Sequence, residues 1–369
     1  MLELKINNHK SEGKNMGKIA ILGAGYMGTA TAWPLSDNGH QVSLIGTHLD
    51  HDIIAHCKDT NRHPKLNRQL PANVTPFYLE ELEEAFDGVD FIVSGVNSMG
   101  VRWIGQTLAP YLKSGDKVIA ITKGMEANET GELIILPEVM RSEFPEEIRE
   151  SISLAAIGGP CIAGELAGRR QSCVYFGCRE IETAQILAEV FRTNYYHAWV
   201  TNDIVGLETT VAMKNAYATG VGIALGLMDN SGGVDPAGAH MHNLAAALFA
   251  QGCIEMQHML EVIGATSAFA YGLPGAGDLY VTCQSGRSTL LGKLLGKGIS
   301  YSNAVEMMEG ETLEAALFVQ QMSRALPMLE ARGKLSPRQM PFMHMLIDVI
   351  VNDKPVAFLL DQFFTDCCI

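Results

Sequence analysis

The stretch IAILGAGYMGTA, residues 19–30, decides the fold of the first part of the chain. It places Gly23, Gly25 and Gly28 in the spacing G-x-G-x-x-G, directly after an apolar run and before a helical segment. In such a turn the glycines allow a tight bend, close approach of the backbone to a pyrophosphate, and close packing of helix on strand. The motif predicts a dinucleotide site, with a purely structural turn as the alternative when the motif is taken alone.

Apolar runs that alternate with amphipathic stretches extend from this motif to about Tyr196. The runs are KIAILGAG, HQVSLIG, FIVSGV, KVIAITKG, SLAAIGG and SCVYFGC. Alternation of this kind is typical of parallel strands connected by helices that cover both faces of a sheet. We therefore predict an α/β domain over residues 16–196, with a doubly wound, Rossmann-type parallel sheet.

The second part of the chain has a different composition. After about Trp199 it contains long stretches rich in Ala, Met and Leu, such as LETTVAMKNAYATGVGIALGL and NLAAALFAQGCIEMQHMLEVIGA. Their length and propensity indicate helices, and their apolar positions are too dense for a surface helix. The sequence predicts a C-terminal all-helical domain over residues 197–369, whose buried helices allow a homodimer, and a disordered extension over residues 1–15.

Composition limits the classes of function. The net charge of -14 argues against nucleic-acid binding through the general surface, because that binding requires many Lys and Arg residues. No apolar run reaches the roughly 20 residues of a membrane span. The eight cysteines lack metal-ligand spacing and no export signal opens the chain, so we expect reduced thiols, a cytoplasmic location and no metal site.

The end of the second predicted strand bears on the choice of cofactor. A carboxylate there binds the ribose 2′-OH of NAD and repels the 2′-phosphate of NADP. Here Gly46, Thr47 and His48 occupy that end, and Asp50 and Asp52 follow later. The sequence therefore predicts NAD or NADP, without a preference.

Two lysines are candidates for chemistry. Lys123 in AITKGME follows the fourth strand, at the sheet edge where ligands bind in doubly wound folds. Lys214 is the one basic residue in the apolar segment ETTVAMKNAYATGVGIA. A buried lysine must be paired or have a lowered pKa, which suits proton transfer. The alternatives are a solvated loop lysine for Lys123 and a lysine that extends to the surface for Lys214.

A second glycine-rich stretch, GLPGAGDLYVTCQSGRST, covers residues 272–289. Its Asp278 could accept hydrogen bonds from a polyol or from Lys214, and its Arg287 could hold a phosphate. A turn residue and a surface arginine are the respective alternatives. Cys161 in GGPCIAGE has no nearby basic residue to activate it, so we interpret it as a small packed residue rather than a nucleophile.

Together these motifs resemble those of the soluble NAD(P)-dependent sn-glycerol-3-phosphate dehydrogenases. The resemblance runs from Lys18 to about Pro355. It is carried, in the same order, by GAGYMGTA, HPKLNRQLP, AITKGME, GGPCIAGELA, VAMKNAYATGVGIALGL, GLPGAGDLYVTC, and LLGKG followed by MMEG. Several motifs in one order are far more specific than the first glycine loop alone.

The resemblance implies an oxidoreductase of glycerophospholipid metabolism that transfers a hydride between NAD(P)H and dihydroxyacetone phosphate, giving sn-glycerol 3-phosphate. Lys214 would give or take the proton, with Lys123 and Asp278 as the other catalytic residues. The implied cofactor contacts are Gly23, Gly25, Tyr26, Met27, Gly28, Thr47, Lys123, Ala163, Arg287, Met307 and Glu309. The implied contacts with a small phosphorylated substrate are Lys123, Gly159, Cys161, Lys214, Asp278, Thr282, Gly286, Arg287 and Ser288.

The chain also departs from the usual family pattern. Ser288 and Thr289 replace an amide and a basic residue beside the arginine, Ala245 and Ala250 stand where basic residues are usual, and Asn97 replaces a proline. Another phosphorylated polyol or a 3-hydroxy acid is therefore an alternative substrate for the same lysine. A third hypothesis is a non-catalytic nucleotide-sensing module. The retained lysines, aspartate and arginine disfavour it, because a sensor needs only the first loop.

Overall fold

The computed structural model describes residues 16–358 and 360–365 of the chain, so the predicted extension over residues 1–15 lies outside it. Two compact units are present. The first contains the described residues up to Thr122, together with Arg141–Ile157 and Cys161–Asn202. The second contains Lys123–Met140, Gly158–Pro160 and the described residues from Asp203 onward. Among the described residues, no helix combines the length and apolarity needed to cross a membrane.

The strands of the described chain form one large sheet and two small hairpins. In chain order they are β1 Lys18–Leu22, β2 Gln41–Ile45, β3 Arg62–His63, β4 Arg68–Gln69, β5 Val74–Phe77, β6 Phe91–Ser94, β7 Lys117–Ala120, β8 Met125–Ala127, β9 Leu133–Ile135, β10 Ser153–Gly158, β11 Ser172–Cys178 and β12 Tyr196–Thr201. The large sheet has the order β12-β11-β10-β7-β6-β1-β2-β5, while β3 pairs with β4 and β8 with β9. Strand β1 is parallel to both of its neighbours, β2 and β6.

Helices follow most strands in the first half of the chain and replace them in the second. In chain order they are α1 Tyr26–Ala30, α2 Ala32–Asp37, α3 His51–Thr60, α4 Leu82–Phe86, α5 Val101–Leu108, α6 Leu136–Arg141, α7 Ala163–Ala167, α8 Ile181–Phe191, α9 Ile204–Asn230, α10 His242–Val262, α11 Asp278–Gln284, α12 Arg287–Gly296, α13 Tyr301–Met307, α14 Glu314–Ala331 and α15 Pro341–Ile350. Between Asp203 and residue 365 the described elements are all helical. The predicted class, a Rossmann-type sheet followed by a helical domain, is confirmed.

The sheet confirms the strands read from the apolar runs, which correspond to β1, β2, β6, β7, β10 and β11. Every residue of β6 is buried, so neither face of the sheet is open to water there. The sequence missed the two edge strands, β5 and β12. An edge strand has one neighbour and is only partly buried, so it tolerates Pro76 in β5 and exposed side chains such as Trp199 in β12.

Helix α9 is the centre of the second unit. It is 27 residues long and buried almost without interruption as far as Ala224. Its glycines let α12 approach closely, since a Cβ added at Gly222 would lie 2.6 Å from the carbonyl oxygen of Thr289. Surrounded on all sides, α9 offers fixed positions for the few polar residues that it carries.

Candidate active site

The first glycine loop is shaped by two glycines that no other residue could replace without movement. Gly23 has φ +119°, and a Cβ added there would lie 2.6 Å from the backbone carbonyl of Gly95. At Gly28 an added Cβ would overlap the carbonyl oxygen of Gly23. The N–H of Gly23 donates to Ile45 O at 2.8 Å, which fixes the turn to β2. Both glycines are therefore required by packing and conformation.

Gly25 differs from these two glycines. A Cβ added there would meet nothing within 4 Å, so packing among the described residues does not require glycine. The residue lies at the start of α1, where backbone N–H groups point outward, and the adjacent Tyr26 is 54% exposed. This combination fits a pyrophosphate that approaches the backbone closely. The loop can hold a dinucleotide.

A buried carboxylate anchors the same loop from the end of β2. Asp50 Oδ2 accepts hydrogen bonds from Ala24 N at 3.2 Å, Thr47 N at 3.0 Å and Thr47 Oγ1 at 2.8 Å. The ring nitrogen Nε2 of His63 lies 2.9 Å from Ala24 O. Thr47, the predicted ribose contact, thus directs its hydroxyl proton to Asp50, and that acid serves the loop itself.

Three other residues of the first unit that the sequence singled out have identifiable neighbours. Ala163 begins α7, which packs against α1. Cys161 is partly buried and packs against the core of the unit. Asn97, which replaces the usual proline, accepts a hydrogen bond from Gly100 N at 3.2 Å and so begins the turn before α5 with its own side chain.

The second unit contains a compact ion cluster. Lys123 Nζ lies 2.6 Å from Asp278 Oδ2, and Lys214 Nζ lies 3.0 Å from Asp278 Oδ1. Lys214 Nζ also donates to Thr282 Oγ1 at 2.5 Å. The relative exposures are 2% for Asp278 and 5% for Lys214, whereas the side chain of Lys123 is 21% exposed. One aspartate therefore holds two lysines, one buried and one accessible.

The electrostatics of the cluster favour proton transfer at Lys214. Burial lowers the pKa of Lys214 to about 8; the carboxylate of Asp278 opposes this shift and the charge of Lys123 adds to it. Burial alone would raise the pKa of Asp278, but the two lysines outweigh it and hold that pKa below its ordinary value. Asp278 is consequently an anion, and Lys214 can exchange a proton near neutral pH.

The helix starts around the cluster explain its geometry. Leu273–Gly277 forms a π-helical turn that leads directly into α11, whose first residue is Asp278. Thr282 lies one turn later and donates its hydroxyl to Asp278 O at 2.7 Å. Thr289, one of the departures noted above, donates to Thr282 O at 2.7 Å and so connects the start of α12 to α11.

The remaining predicted site residues of the second unit lie in turns and in helices α12 and α13. Gly159 and Gly286 have φ values of +130° and +123°, which only glycine adopts readily. Arg287 is about half exposed and its Nη1 lies 3.8 Å from Glu311 Oε2. Met307 ends α13 and is 63% exposed, and Glu309 is exposed in the loop that follows. Ser288 is partly buried in the first turn of α12.

Sequence reasoning overlooked one polar residue of this region. Glu208 on α9 is 0% exposed, and neither carboxylate oxygen has a hydrogen-bond partner among the described residues. Burial raises its pKa to about 8, with Lys123 opposing the shift. Like Lys214, Glu208 is a charged residue in an apolar helix, so the same signal in the sequence marks both residues. Within the described residues, no group of three metal-ligating side chains comes together.

Family models match nearly the whole chain. Residues 18–184 match the N-terminal model of NAD-dependent glycerol-3-phosphate dehydrogenase. Residues 203–361 match the C-terminal model of the same family. The two matches follow one another with a short gap, as the two-part architecture of the chain requires.

Curated relatives agree with these matches. The chain is 34% identical over 291 residues to an NADP(+)-dependent glycerol-3-phosphate dehydrogenase of Archaeoglobus fulgidus, covering 79% of this chain and 83% of the relative. It is 30% identical over 344 residues to a glycerol-3-phosphate dehydrogenase [NAD(P)+] of Enterococcus faecalis, covering 92% and 93% of the two chains.

Solved structures show the same fold at lower identity. A glycerol-3-phosphate dehydrogenase from Coxiella burnetii superimposes with a TM-score of 0.76 at 24% identity, covering 92% of this chain and 96% of the other. One from Plasmodium falciparum gives 0.77 at 16% identity, covering 95% and 96%. Taken with the family models and the curated relatives, the motifs show that the chain belongs to the NAD-dependent glycerol-3-phosphate dehydrogenase family.

Proposed function

We propose that this protein interconverts dihydroxyacetone phosphate and sn-glycerol 3-phosphate with NAD(P)H, and that Lys214 exchanges the hydroxyl proton. The family and the names of the relatives support the reaction. The observation that carries the role of Lys214 is its burial against Asp278 with a pKa of about 8. A general base works best when its pKa lies near the operating pH, as this one does.

The cluster contains a proton acceptor and a cation, the two groups that oxidation of a phosphorylated alcohol requires from the protein. Neutral Lys214 accepts the hydroxyl proton of the substrate, and in the reductive direction its ammonium returns that proton. Asp278 fixes the position of Nζ through a 3.0 Å contact, and Thr282 gives Nζ a second partner. The partly exposed ammonium of Lys123 would attract an anionic substrate through its positive charge.

The cofactor is NAD or NADP, and when bound it supplies or receives the hydride. Gly25 and the first residues of α1 would hold its pyrophosphate, with Gly23 and Gly28 shaping the turn. The hydrogen bond of Ala24 to Asp50 keeps this backbone in place. The contacts predicted for Tyr26, Met27, Thr47, Lys123, Ala163, Arg287, Met307 and Glu309 remain part of the proposal.

Arg287 is our candidate for the substrate phosphate. It is half exposed, and its 3.8 Å pairing with Glu311 is long enough for a phosphate to replace it. Thr289 does not supply the missing charge, because its hydroxyl is donated to Thr282 O. This local loss of charge is the observation that keeps another phosphorylated polyol, or a 3-hydroxy acid, as the second candidate substrate.

A substrate panel with the purified protein tests the proposal. Oxidation of NADH and of NADPH would be followed by absorbance with dihydroxyacetone phosphate, other phosphorylated ketones and 3-oxo acids. We expect the highest kcat/KM with dihydroxyacetone phosphate. Brisk turnover of another compound beside none with this one would establish the second candidate. Cofactor binding without turnover of any compound would instead establish a nucleotide-sensing module.

The setting of the reaction forms a smaller part of the proposal. None of the six cysteines that the structure describes forms a disulfide, as is usual in the reducing cytoplasm, where we place the protein. A homodimer is also proposed. Light scattering of the purified protein would test that state, and a monomer mass at assay concentrations would contradict it.

A further inference from the structure

Glu208 is a buried acid for which the reaction proposed above has no use. It lies on α9, six residues before Lys214, which is about 9 Å along the helix axis. It is 0% exposed, and neither of its carboxylate oxygens has a hydrogen-bond partner among the described residues. Most buried polar groups have a partner, so an unpaired carboxyl inside a protein requires an explanation.

Burial without hydrogen bonds selects the protonated form of an acid. An ionised carboxylate in an apolar setting loses its hydration and gains nothing in return, whereas the neutral acid loses much less. Burial accordingly raises the pKa of Glu208 to about 8. The charge that opposes this shift belongs to Lys123, which lies two residues before the start of β8.

Lys123 connects Glu208 to the proton-transfer group. The charge of Lys123 lowers the pKa of Lys214, and the same charge favours ionisation of Glu208. A carboxylate at Glu208 would offset the charge of Lys123. Lys214 would then hold its own proton more tightly, because buried charges are weakly screened by salt.

The other charged groups on the elements around α9 have different partners or targets. Asp278 on α11 and Glu314 on α14 act on Lys214. Glu255 on α10 accepts hydrogen bonds from Tyr217, Gln251, Phe342 and Met343. His344 and Asp348 on α15 pair with Glu330 and Lys354, Glu126 on β8 is partly buried, and Lys293 on α12 lies beside Gly226 near the far end of α9.

We propose that Glu208 is a positioning residue that sets the charge of the Lys123–Asp278–Lys214 cluster, holding a proton at neutral pH and releasing it in alkaline solution. The inference rests on the proposed function, since it concerns the proton that Lys214 exchanges. In the neutral state Glu208 leaves the charge of Lys123 fully effective on Lys214. In the ionised state it extends the pH range over which Lys214 stays protonated.

The variant Glu208→Gln tests this inference because it is permanently neutral and nearly identical in shape. Lys214 should then lose its proton at lower pH than in the wild type. Between pH 8 and 9 the variant should oxidise sn-glycerol 3-phosphate up to about twofold faster than the wild type, and reduce dihydroxyacetone phosphate up to about twofold more slowly, which together correspond to a shift of roughly half a pH unit. At pH 6.5 the rate of the variant divided by the rate of the wild type should be similar for oxidation and for reduction.

Opposite effects in the two directions separate this role from a structural one. A structural defect lowers both rates together at every pH. Glu255→Gln is the matched control, since it removes another fully buried acid of the same unit, whose pKa burial raises to about 7 but whose carboxylate accepts hydrogen bonds from Tyr217, Gln251 and the N–H groups of Phe342 and Met343. We expect that variant to lower the thermal stability of the protein. At each pH it should change the oxidative and the reductive rate by the same factor.

The inference would be overturned if the effect of Glu208→Gln on the ratio of oxidative to reductive rate were independent of pH. A more than tenfold loss of rate in both directions at pH 6.5 would also overturn it. Glu208→Met, also neutral, replaces the glutamine variant if the latter does not fold. Infrared difference spectra give a readout that does not need activity. At pH 6.5 the wild type should show a protonated carboxyl band that the variant lacks and that disappears by pH 9.5. Absence of this band would overturn the inference even if the substrate assignment proved wrong.

Discussion

The tripeptide Gly-Ala-Gly occurs twice in this chain, at residues 23–25 in the first unit and at residues 275–277 in the second. In the first copy a Cβ added at Gly25 would meet nothing within 4 Å. In the second copy a Cβ added at Gly275 would lie 2.5 Å from Phe269 O and closer still to Ala270 O. Both copies pack their first glycine against neighbouring backbone, but only the first copy leaves open space at its third residue, Gly25, since a Cβ at Gly277 would have contacts at 3.6 Å.

The difference shows two ways in which glycine can serve a site. In the proposed function the first loop binds the cofactor through backbone N–H groups, which do not titrate. The second is a π-helical turn, a feature often found at functional sites, and it places the carboxylate of Asp278 against two lysines. Binding by backbone and catalysis by side chains should therefore respond differently to mutation and to pH.

The largest expected effect comes from Lys214→Ala. Removing the proton-exchanging group should lower kcat in both directions by about 100-fold or more, while the Kd of NADH should change less than about twofold. Asp278 keeps Lys123 as a partner at 2.6 Å, so the variant should remain folded. Steady-state kinetics and quenching of protein fluorescence by NADH measure the two quantities.

A matched substitution tests charge against proton exchange at the same position. Lys214→Arg retains a cation beside Asp278, but an arginine does not release its proton at any working pH. We expect a loss in the oxidative direction comparable to that of the alanine variant. Near wild-type oxidation by either variant would contradict the assignment of the general base.

The pH dependence of the rate gives the second largest effect. In the proposed mechanism oxidation requires neutral Lys214, whose pKa is about 8, so kcat/KM for sn-glycerol 3-phosphate should rise nearly tenfold per unit from pH 6 and level off above about 8. Reduction requires the ammonium form, so its rate should fall as the pH rises through about 8. NADH binding by the first loop should be flat over the same range. If the Kd of NADH changed with pH and had the same midpoint as the rates, the two loops would not differ in their response to pH.

Sequence reasoning selected those candidate residues of the site that a local pattern marks. Gly25 and Lys214 were recognisable because one belongs to a spaced motif and the other is a cation in an apolar helix. Glu208 was equally recognisable, yet no family motif drew attention to it. The ion pair between Lys123 and Asp278 spans 155 residues of sequence, and no local pattern encodes a contact of that kind.

The anchoring of the first loop is another feature that only the folded chain reveals. In the sequence Asp50 follows the end of β2 too late to be recognised as a cofactor contact. In the structure its carboxylate accepts hydrogen bonds from the N–H groups of Ala24 and Thr47. Its position depends on the bend between β2 and α3, not on its spacing from the glycines. The sequence analysis missed the edge strands β5 and β12 for a related reason, because partial burial weakens the alternation of apolar and polar residues that identifies a strand.

Two alanine substitutions compare the loops directly and should give effects of about tenfold. Gly25 has φ -70° and ψ -179°, which alanine adopts easily, so Gly25→Ala should change the free energy of unfolding by less than about 0.5 kcal/mol. Its methyl group would occupy the space of the pyrophosphate, and the Kd of NADH should rise about tenfold. Gly275→Ala should do the opposite, lowering stability by about 2 kcal/mol with unchanged NADH affinity.

The control for this pair is Gly277→Ala. A Cβ at Gly277 would lie 3.6 Å from Gly272 O and Pro160, an ordinary van der Waals distance, so both stability and NADH binding should be retained. Chemical denaturation and NADH titration of the three variants complete the comparison. If Gly275→Ala weakened NADH binding while keeping its stability, the two loops would share a role and the contrast drawn here would be wrong.

The smallest effect tests whether a single side chain of the second loop tunes catalysis. Thr282→Val keeps the shape of the residue but removes the hydroxyl that accepts from Lys214 Nζ at 2.5 Å. Losing that acceptor disfavours the ammonium form, so the pKa of Lys214 should fall and the oxidative profile should move to lower pH. A hydrogen bond worth about 1 kcal/mol corresponds to a lowering of that pKa by roughly 0.7, and so to a roughly threefold decrease in the reductive kcat near pH 8 and a roughly fivefold decrease well above it. Thr282→Ser restores the hydroxyl and should restore the wild-type midpoint. If valine and serine gave the same profile, Thr282 would only connect α11 and α12, and the proton of Lys214 would depend on Asp278 and Lys123 alone.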